Sequence, residues 1–338
     1  MTDLMDRTPA PATANGAGQL RELLVRSVTW QADGVVSLRL VDPAGATLPT
    51  WQPGAHLDLV LPSGLVRQYS LCGPPQDRHA YTIAVLLTAH SRGGSRELHE
   101  TALAGRTLLV RGPRNRFPLI DASRYLFIAG GIGITPILAM VREISTSGAD
   151  WRLVYGGRSR SSMAFTEELA ELGRDRVEFL PQDERGLPDL KATLALAHAD
   201  TAVYCCGPEG LLTAVEKHCQ QRDTPIDLHS ERFGATTPSS PQEAPSDGAT
   251  GSFEVELRRS GKVLTVPPHR SILETVRDVA PEVMSSCEEG FCGTCETRVL
   301  EGTPEHADSI LGERERARGK TMMICVGRSS TPRLVLDL

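Results

Sequence analysis

The chain has 338 residues, of which 40% are hydrophobic and 23% charged, and its net charge is −6. This length accommodates two or three domains with separate cores, and the acidic balance argues against a nucleic-acid partner. The longest apolar run, Tyr125–Val141, is interrupted by three glycines and a proline, so it is unsuited to a membrane span. The start of the chain shows no secretory pattern, and the eight cysteines lack the density of a disulfide scaffold. We expect a cytoplasmic monomer.

Residues 1–18 are rich in Pro, Ala, Gly and Thr and have no hydrophobic periodicity, which predicts a disordered tail. Over residues 19–119, short alternating runs are separated by Gly and Pro turns, a pattern typical of an antiparallel barrel or sandwich. The predicted strands are Leu23–Val28, Val35–Val41, Ala55–Val60, Thr82–Leu87 and Thr107–Arg111, with a helix over Arg96–Ala104.

Two short motifs in this segment carry groups suited to an anion. Arg67, Tyr69 and Ser70 fall at the end of a strand and offer a phosphate partner, an aromatic platform and a hydroxyl donor. The alternative is an exposed strand with Arg67 pointing outward and Tyr69 packed on the core, which the same residues also allow. The second motif runs from Ser91 to Ser95, and its glycines expose backbone N–H groups before a predicted helix. A plain loop with a serine N-cap is the alternative.

The pattern changes at Tyr125, where an apolar strand, Tyr125–Ala129, leads into Gly130–Pro136 and a helix over Ile137–Ser145. Strand, glycine turn and helix form the context of a nucleotide-binding turn. The G-x-G-x-x-G fingerprint is not met, because Pro136 replaces its third glycine. Proline is tolerated there, since the first helical turn needs no N–H from it.

Further strand–turn–helix units follow, with turns at Gly156-Gly157-Arg158 and Cys206-Gly207-Pro208. This alternation predicts a parallel doubly wound sheet over residues 120–233, with a ligand at the carboxyl ends of the strands. The remaining predicted strands are Trp151–Tyr155, Arg176–Leu180, Thr201–Cys205 and Ile226–Ser230, and the helices are Met163–Leu172, Leu190–His198 and Leu211–Gln220.

Residues 234–251 contain mainly Pro, Ser, Thr, Ala and Gly and are predicted to be a flexible linker. The last segment, residues 252–338, is predicted to be a small α+β domain. Its predicted strands are Phe253–Leu257, Lys262–Val266, Glu296–Val299 and Met322–Ile324, with a helix over Ile272–Val279.

The most specific motif of the chain is the cysteine run of this last domain. Cys287, Cys292 and Cys295 are spaced C-x4-C-x2-C and are followed by a distant Cys325, the pattern of plant-type 2Fe–2S ligands. Gly290 and Gly293 allow a tight loop whose N–H groups turn toward the cluster sulfurs. A structural zinc site is the alternative, but it usually uses two C-x2-C pairs, and only one is present.

Together these motifs resemble the phthalate dioxygenase reductase family, of the vanillate demethylase reductase type. The resemblance runs from Leu20 to Leu338 and includes the order of the segments. It implies an FMN-binding antiparallel β-barrel over residues 19–119, a doubly wound α/β NAD-binding domain over 120–233 and a 2Fe–2S ferredoxin-like β-grasp domain over 252–338. It also implies metal ligation by Cys287, Cys292, Cys295 and Cys325.

For the flavin, the resemblance implies a phosphate site made by Arg67, Gly93, Gly94 and Ser95. Tyr69 is expected to pack on the isoalloxazine, with Ser70 near its reactive nitrogen and Phe233 stacked on the face that the nicotinamide must reach. The strand Ile83-Ala84-Val85 is expected to border the cofactor. Leu86 departs from the family, which often has a basic residue there.

For the nicotinamide, the resemblance implies contacts along the glycine turns. The expected binding residues are Gly130, Gly131, Gly133, Thr135, Gly156, Arg158, Cys206, Gly207 and Pro208, and Ser70, Thr135, Cys206 and Phe233 are expected to border the reaction. NADH is the expected coenzyme by family. Arg158 and Arg160 are also able to accept the 2′-phosphate of NADPH, because no acid is positioned for the ribose.

The implied function is an NADH-dependent oxidoreductase that passes electrons through FMN and the 2Fe–2S cluster to a Rieske-type oxygenase. Such systems modify aromatic rings or remove O-methyl groups. One alternative is a reductase for a haem-thiolate monooxygenase. Another is a ferredoxin-like carrier that does not oxidise nicotinamide.

Overall fold

A computed structural model describes residues 20–88, 93–101, 103–222, 225–233, 251–281, 283–285, 288, 290, 293–308 and 310–338. The predicted tail lies outside the described residues, as do residues 234–250 of the predicted linker, Ser91, and the two cysteines Cys287 and Cys292. None of the described helices combines the length and hydropathy needed to cross a bilayer.

The first sheet is antiparallel throughout. Its strands are β1 (Leu20–Ala32), β2 (Val35–Val41), β3 (Ala55–Val60), β4 (Val66–Ser70), β5 (Ala80–Leu86) and β6 (Thr107–Asn115), and helix α1 (Gly94–Glu100) follows β5. Among the described residues, the order across the sheet is β4-β3-β6-β1-β2-β5.

This sheet closes into the predicted barrel. Leu71, directly after β4, pairs with Ile83 of β5, and the Cys72 N–H donates to the Thr82 carbonyl at 2.8 Å. The edge strands therefore meet. Aliphatic side chains from every strand except β4, such as Leu38 and Leu57, fill the interior at close to zero exposure.

The second sheet is parallel throughout. It consists of β7 (Arg124–Gly130), β8 (Asp150–Gly157), β9 (Val177–Pro181), β10 (Thr201–Cys206) and β11 (Asp227–Glu231). The helices between them are α2 (Ile134–Ser147), α3 (Thr166–Gly173), α4 (Gln182–Arg185), α5 (Leu190–Ala195) and α6 (Glu209–Gln220). The order β11-β10-β7-β8-β9 is that of the predicted doubly wound sheet.

Helices cover both faces of this parallel sheet. On β7, Phe127 packs in the core that includes Ile137 and Leu138 of α2, whereas the next residue, Ile128, packs with Leu212 of α6. Alternate residues of one strand therefore enter two different cores, which explains why the strand is apolar at nearly every position.

The third sheet is mixed. The elements of its domain are β12 (Phe253–Leu257), β13 (Lys262–Val266), helix α7 (Ile272–Arg277), β14 (Glu296–Glu301), β15 (Pro304–Glu305), helix α8 (Glu313–Arg318), β16 (Thr321–Met323), β17 (Arg328–Ser329) and β18 (Arg333–Leu336), and β15 and β17 pair with each other in a separate small sheet. Within the described part of this domain the order is β13-β12-β18-β14-β16, with β12 and β18 parallel. Helix α7 begins at a capping box between Ser271 and Glu274 and packs on the sheet, as in a β-grasp fold.

Four elements of this last domain were not predicted: helix α8 and the strands β15, β17 and β18. Helix α8 has five charged residues out of six, so it carries no apolar periodicity to read. Strand β18 is only four residues long and becomes a strand by pairing with β12, which lies far earlier in the chain. The helix α2 was predicted to start three residues too late and to end two residues too early, since it begins at Ile134, with Pro136 inside its first turn, and ends at Ser147.

Candidate functional site

A cavity of about 580 Å³ lies where the barrel meets the carboxyl edge of the parallel sheet. Three turns of the second domain form much of its wall, one after each of β7, β8 and β10, and Leu86, Leu87 and Thr88 close it from the barrel. The cavity is therefore at the position expected for a ligand of a doubly wound sheet. It is lined by seven of the predicted nucleotide-binding residues and by the predicted stacking residue: Gly130, Gly131, Gly133, Gly156, Arg158, Gly207, Pro208 and Phe233.

The glycines of the β7 and β10 turns are required because the two turns touch through their backbones. A Cβ on Gly133 would lie 2.3 Å from the carbonyl oxygen of Cys206, and one on Gly130 would lie 2.7 Å from Cδ of Pro208. Gly131, by contrast, has a φ of +54° and nothing within 4 Å of its Cβ position. Gly130 and Gly133 therefore hold the wall together, while Gly131 leaves space in front of it.

Thr135 and Cys206 are buried behind this wall. The Thr135 hydroxyl donates to the Ile132 carbonyl at 3.0 Å, which fixes the turn after β7. The Cys206 side chain is completely buried, and burial raises the pKa of its thiol well above the usual value. Neither side chain is among those that line the cavity, so their predicted contact with the nicotinamide stays a prediction.

Two arginines follow β8 and have different surroundings. Arg158 lines the cavity, and its carbonyl accepts a hydrogen bond from the Asp183 N–H at 3.2 Å. The guanidinium of Arg160 instead lies 5.2 Å from the centre of the Phe179 ring, a cation–π contact. Arg158 is thus the better placed of the two for a nucleotide in the cavity.

The strand β4 carries Arg67, Tyr69 and Ser70 to the barrel edge next to the second domain. Ser70 is buried and donates a hydrogen bond to the carboxyl group of Glu231, at the end of β11. Burial raises the pKa of Glu231 to about 8, and the hydrogen bond from Ser70 opposes that rise. This carboxyl group is therefore mostly protonated at neutral pH.

Glu231 is the functional candidate that sequence reasoning missed. It lies between the predicted strand Ile226–Ser230 and the predicted stacking residue Phe233, and the sequence pattern gave it no role. Its Oε2 is buried and has no hydrogen-bond partner among the described residues. The available signal was an acidic residue at the carboxyl end of a strand in a parallel sheet, where ligands bind. Nothing in the sequence showed that Ser70 would meet it.

Phe233 ends the described part of the second domain. It is 40% exposed and lines the cavity. The preceding Arg232 holds it in place, since the Arg232 guanidinium donates to Glu216 at 2.8 and 2.9 Å and to Glu209 at 3.2 Å. An exposed aromatic ring on a fixed backbone is suited to cover a planar ring system.

The predicted phosphate residues also come together. Gly94, the first residue of α1, packs on Arg67 so closely that a Cβ there would lie 2.6 Å from the Arg67 Cγ. The neighbouring Ser95 hydroxyl accepts a hydrogen bond from the Thr88 N–H at 3.4 Å, and Gly93 has a φ of +95°. A guanidinium beside glycine backbone and a hydroxyl is a donor set that suits a phosphate.

The three residues predicted on β5 are buried. Ile83 and Val85 point into the barrel core, and Ala84 packs against the core of the second domain. Their side chains therefore belong to the fold. The predicted contact of this strand with the flavin stays a prediction.

Two of the four predicted metal ligands are within the described residues. Cys295 directly precedes β14, Cys325 follows β16, and both are buried in one hydrophobic core. Gly290 and Gly293 have φ angles of +76° and +68°, the conformation predicted for the loop. A Cβ on Gly290 would lie 2.6 Å from Cγ2 of Val326, so the chain passes closely there. Paired buried thiols beside glycine turns fit an iron–sulfur cluster.

The chain was compared with known proteins. Residues 255–329 match the family described as 2Fe-2S iron-sulfur cluster binding domain, and residues 117–227 match the family described as dimethylamine monooxygenase subunit DmmA-like, N-terminal domain. The chain is 43% identical to the vanillate O-demethylase oxidoreductase of Pseudomonas putida over 94% of this chain and 99% of that protein.

Two solved structures are similar over almost the whole chain. The phthalate dioxygenase reductase, whose structure is described as modular for electron transfer from pyridine nucleotides to [2Fe-2S], has a TM-score of 0.70 and 36% identity over 94% of this chain and 98% of its own. An intact type IV self-sufficient cytochrome P450 monooxygenase has a TM-score of 0.83 and 40% identity over 98% of this chain, which spans only 43% of that protein.

These similarities confirm the predicted fold class, the reductase class and the 2Fe–2S domain, and they leave the carrier without nicotinamide oxidation unsupported. Similarity to both a demethylase oxidoreductase and phthalate dioxygenase reductase over more than nine-tenths of each chain extends to all three parts of the molecule. The chain belongs to the phthalate dioxygenase reductase family.

Proposed function

We propose that this chain is the NADH-dependent reductase component of a Rieske-type oxygenase system that acts on aromatic rings or O-methyl groups. FMN, NADH and the 2Fe–2S cluster, which were predicted from the sequence, are the cofactors of this family. Relatives such as the vanillate O-demethylase oxidoreductase are components of oxygenase or demethylase systems, which supports an oxygenase as the electron acceptor. The Rieske type of that acceptor is our proposal.

The observation that carries the proposal is the glycine-walled cavity between the barrel and the parallel sheet. It provides about 580 Å³, with Val35, Leu86, Leu87 and Thr88 on its barrel side and Phe233 in its wall, while the described residues of β4 do not line it. A soluble coenzyme must enter and leave, so an open cavity at this junction supports a nicotinamide site. We propose that residues 19–119 form the FMN-binding domain, that residues 120–233 form the NAD-binding domain, and that the linker 234–251 joins them to the 2Fe–2S domain of residues 252–338.

When bound, the flavin accepts a hydride and releases electrons one at a time to the cluster. Within the chain, Arg67 and the Gly93–Ser95 backbone would bind the phosphate, and Tyr69 and Phe233 would flank the flavin ring. Ser70 would be held in one orientation by its hydrogen bond to Glu231. Because the Glu231 carboxyl group is mostly protonated, it keeps a proton close to Ser70 without introducing a negative charge at the flavin site.

The wall residues of the cavity would orient the coenzyme. The backbone of Gly130, Gly131 and Gly133 and of Gly207 and Pro208 would border the nicotinamide half, while Arg158 would bind the adenosine half. The apolar side chains on the barrel side, Leu86 and Leu87, exclude water from the meeting point. Thr135 and Cys206 would support the wall from behind.

In the third domain, Cys287, Cys292, Cys295 and Cys325 would hold the cluster. Burial of Cys295 and Cys325 in one core supports this assignment for half of the ligands. Thiolate ligation of all four would account for the plant-type spacing.

A haem-thiolate monooxygenase is the second candidate for the acceptor. The observation that favours it is the full-length similarity of this chain to part of a self-sufficient P450. In that case a separate haem protein would take the electrons that we assign to a Rieske oxygenase.

The test uses purified holoprotein with NADH and cytochrome c, then with candidate acceptors. We expect NADH-dependent reduction of the dye, overlapping flavin and iron–sulfur absorption bands, and coupled product from a Rieske oxygenase of the same organism. Product from a haem-thiolate enzyme alone would select the second candidate. A protein that binds flavin and cluster but reduces nothing with NADH would contradict both.

A further inference from the structure

The strand β3 is buried on both of its faces, although it belongs to a barrel. Leu57 and Leu59 point into the barrel core, and the alternate residues His56 and Asp58 are also buried, at 5% and 0% exposure. Residues that alternate along a strand point to opposite faces, so His56 and Asp58 face away from the core. Something outside the barrel must therefore cover them.

The cover includes the stretch of the third domain around the predicted ligand Cys295. The Thr294 hydroxyl accepts hydrogen bonds from the Arg114 guanidinium at 3.2 Å and from the Gln68 side-chain amide at 3.4 Å. The Arg116 guanidinium donates to the Gly293 carbonyl at 3.2 Å and lies 3.8 Å from the Glu296 carboxylate. Contacts from the barrel thus reach the residues on both sides of Cys295.

Asp58 organises the barrel side of these contacts. Its carboxylate accepts a hydrogen bond from Arg114 at 2.5 Å and another from the Gln68 amide at 2.9 Å, and Arg111 lies 3.9 Å away. The same two side chains that bind Asp58 are the ones that donate to Thr294. A buried carboxylate between two guanidinium groups fixes their positions and offsets part of their positive charge.

The surroundings are closed and positively charged. Burial first, and then the Arg114 and Arg116 guanidinium groups, lower the pKa of His56 to about 3, so its imidazole stays neutral. Gly293 fits against Arg116 so closely that a Cβ there would lie 2.5 Å from the guanidinium carbon. Gly293 of the third domain and the Arg116 guanidinium of the barrel are therefore in direct contact.

Gln68 also connects this contact to the proposed flavin site. It lies on β4 between Arg67 and Tyr69, the residues assigned to the flavin phosphate and ring, and its own side chain reaches Thr294. One strand thereby borders the flavin with two residues and holds the cluster loop with the residue between them.

We propose that Asp58, Arg114, Gln68 and Thr294 form an interdomain latch that keeps Cys295 against the flavin-binding strand and so sets the rate of electron transfer from flavin to cluster. These are positioning residues, since none is assigned to a cofactor. The inference rests on the proposed cofactor sites but is independent of which oxygenase accepts the electrons.

The primary test is Thr294→Val, which removes the acceptor hydroxyl at nearly constant volume, with Thr294→Ser as the variant that restores the hydroxyl. Stopped-flow absorption separates flavin reduction by NADH from cluster reduction by flavin. We expect flavin reduction at the parental rate, and cluster reduction slowed by roughly tenfold, because a partly buried hydrogen-bonded contact between the domains is lost. Thr294→Ser should recover most of that rate.

Asp58→Asn tests the centre of the latch, and Asp77→Asn is its matched control. Asp77 pairs with Arg39 at 2.8 Å on the exposed surface of the same barrel, away from the described contacts with the third domain. We expect Asp58→Asn to slow cluster reduction at least as much as Thr294→Val, and Asp77→Asn to leave it unchanged.

A structural readout accompanies the kinetics. In hydrogen exchange of the resting holoproteins, peptides that contain the end of β6 should exchange faster in Thr294→Val and Asp58→Asn than in the parent, Thr294→Ser and Asp77→Asn. Cluster reduction at the parental rate in Thr294→Val overturns the latch, whatever Asp58→Asn does. Failure of NADH to reduce the flavin in the parent protein would instead contradict the proposed function.

Discussion

The barrel meets its two neighbouring domains in opposite ways. Toward the parallel sheet it leaves a cavity of about 580 Å³, bordered by glycine turns and apolar side chains. Toward the ferredoxin-like domain it presents Arg114 and Gln68, which both donate to Asp58 and also donate hydrogen bonds to Thr294 at 3.2 and 3.4 Å. The junction with the parallel sheet contains a cavity, whereas the junction with the ferredoxin-like domain is filled by hydrogen-bonded side chains.

The difference follows from what crosses each junction. A hydride is carried by a coenzyme that must enter, align and leave, so that junction needs a void with a defined wall. An electron requires only that the two centres stay close, so that junction can be filled with side chains. The barrel itself is fixed to the parallel sheet beside the cavity by Arg142 of α2, which binds the Cys72 carbonyl and the Glu168 carboxylate.

Removing the cluster should have the largest effect and should distinguish the hydride step at one junction from the electron-transfer step at the other. In Cys295→Ala we expect a complete loss of cytochrome c reduction, because plant-type clusters need four thiolates. Flavin reduction by NADH, followed by stopped-flow, should continue near the parental rate. Cys219→Ala, a cysteine on α6 outside the cluster motif, is the control that should keep both steps. Collapse of flavin reduction in Cys295→Ala would show that the junctions are not independent.

The converse change acts on the cavity wall. Gly133→Ala would bring a Cβ to 2.3 Å from the Cys206 carbonyl oxygen, so the turns after β7 and β10 must move apart. Because small misplacements in a binding site cost about a hundredfold in rate, we expect kcat/KM for NADH to fall by about that factor. Electron transfer from chemically reduced flavin to the cluster should not change.

Gly210→Ala provides the matched control for this change. Gly210 lies in α6, and nothing is within 4 Å of its Cβ position, so alanine should be accepted there and should stabilise the helix by about 1 kcal/mol. Equal kcat/KM values for Gly133→Ala and the parent would contradict the role of the close turn-to-turn contact.

A smaller effect on kinetics is expected from Arg158, which we assign to the adenosine half of the coenzyme. Arg158→Ala should raise KM for NADH by about tenfold with little change in kcat, since one charge-assisted hydrogen bond is lost before the reacting ring is reached. Arg160→Ala serves as the comparison, because Arg160 is engaged with Phe179. Steady-state kinetics measure both variants, and a fall in kcat without a change in KM for Arg158→Ala would be inconsistent with this assignment.

The smallest expected effect concerns pH and the buried carboxyl of Glu231. Its pKa is about 8 in the folded protein, above the value of 4.5 that we take for the unfolded chain, so the folded state holds the extra proton between these values. The stability that this proton provides is fully present below pH 4.5 and is lost as the pH rises toward 8, by at most about 1.4 kcal/mol per pH unit.

In Glu231→Gln that loss should disappear, because the amide does not titrate. Thermal unfolding of the two proteins at pH 5, 6, 7 and 8 should show a fall in Tm with rising pH that is shallower in the variant. Glu178→Gln, on the exposed pair with Arg185, is expected to retain the parental slope. Parallel Tm curves for the parent and Glu231→Gln would contradict a raised pKa at this position.

Several features of the molecule could be predicted from the sequence because neighbouring residues determine them. The cysteine spacing, the left-handed glycines Gly290 and Gly293, and the alternation of strands such as Ala55–Val60 are local patterns with one geometric reading. Since the family resemblance consists of such local motifs in a fixed order, the domain types and eight of the residues that line the cavity could also be anticipated.

Only the tertiary structure determined the contacts between residues that are far apart in the sequence. Ser70 meets Glu231, Gly133 meets Cys206, and Gln68 meets Thr294 because strand order and domain contact bring them together. Likewise, the letters of β3 predict a strand but not that Asp58 is buried on its outer face. The physical reason is that the spacing of residues along the chain determines only local backbone conformation and the face on which each side chain lies. A shifted pKa, a close backbone approach or the latch depends on which distant residues pack against that face.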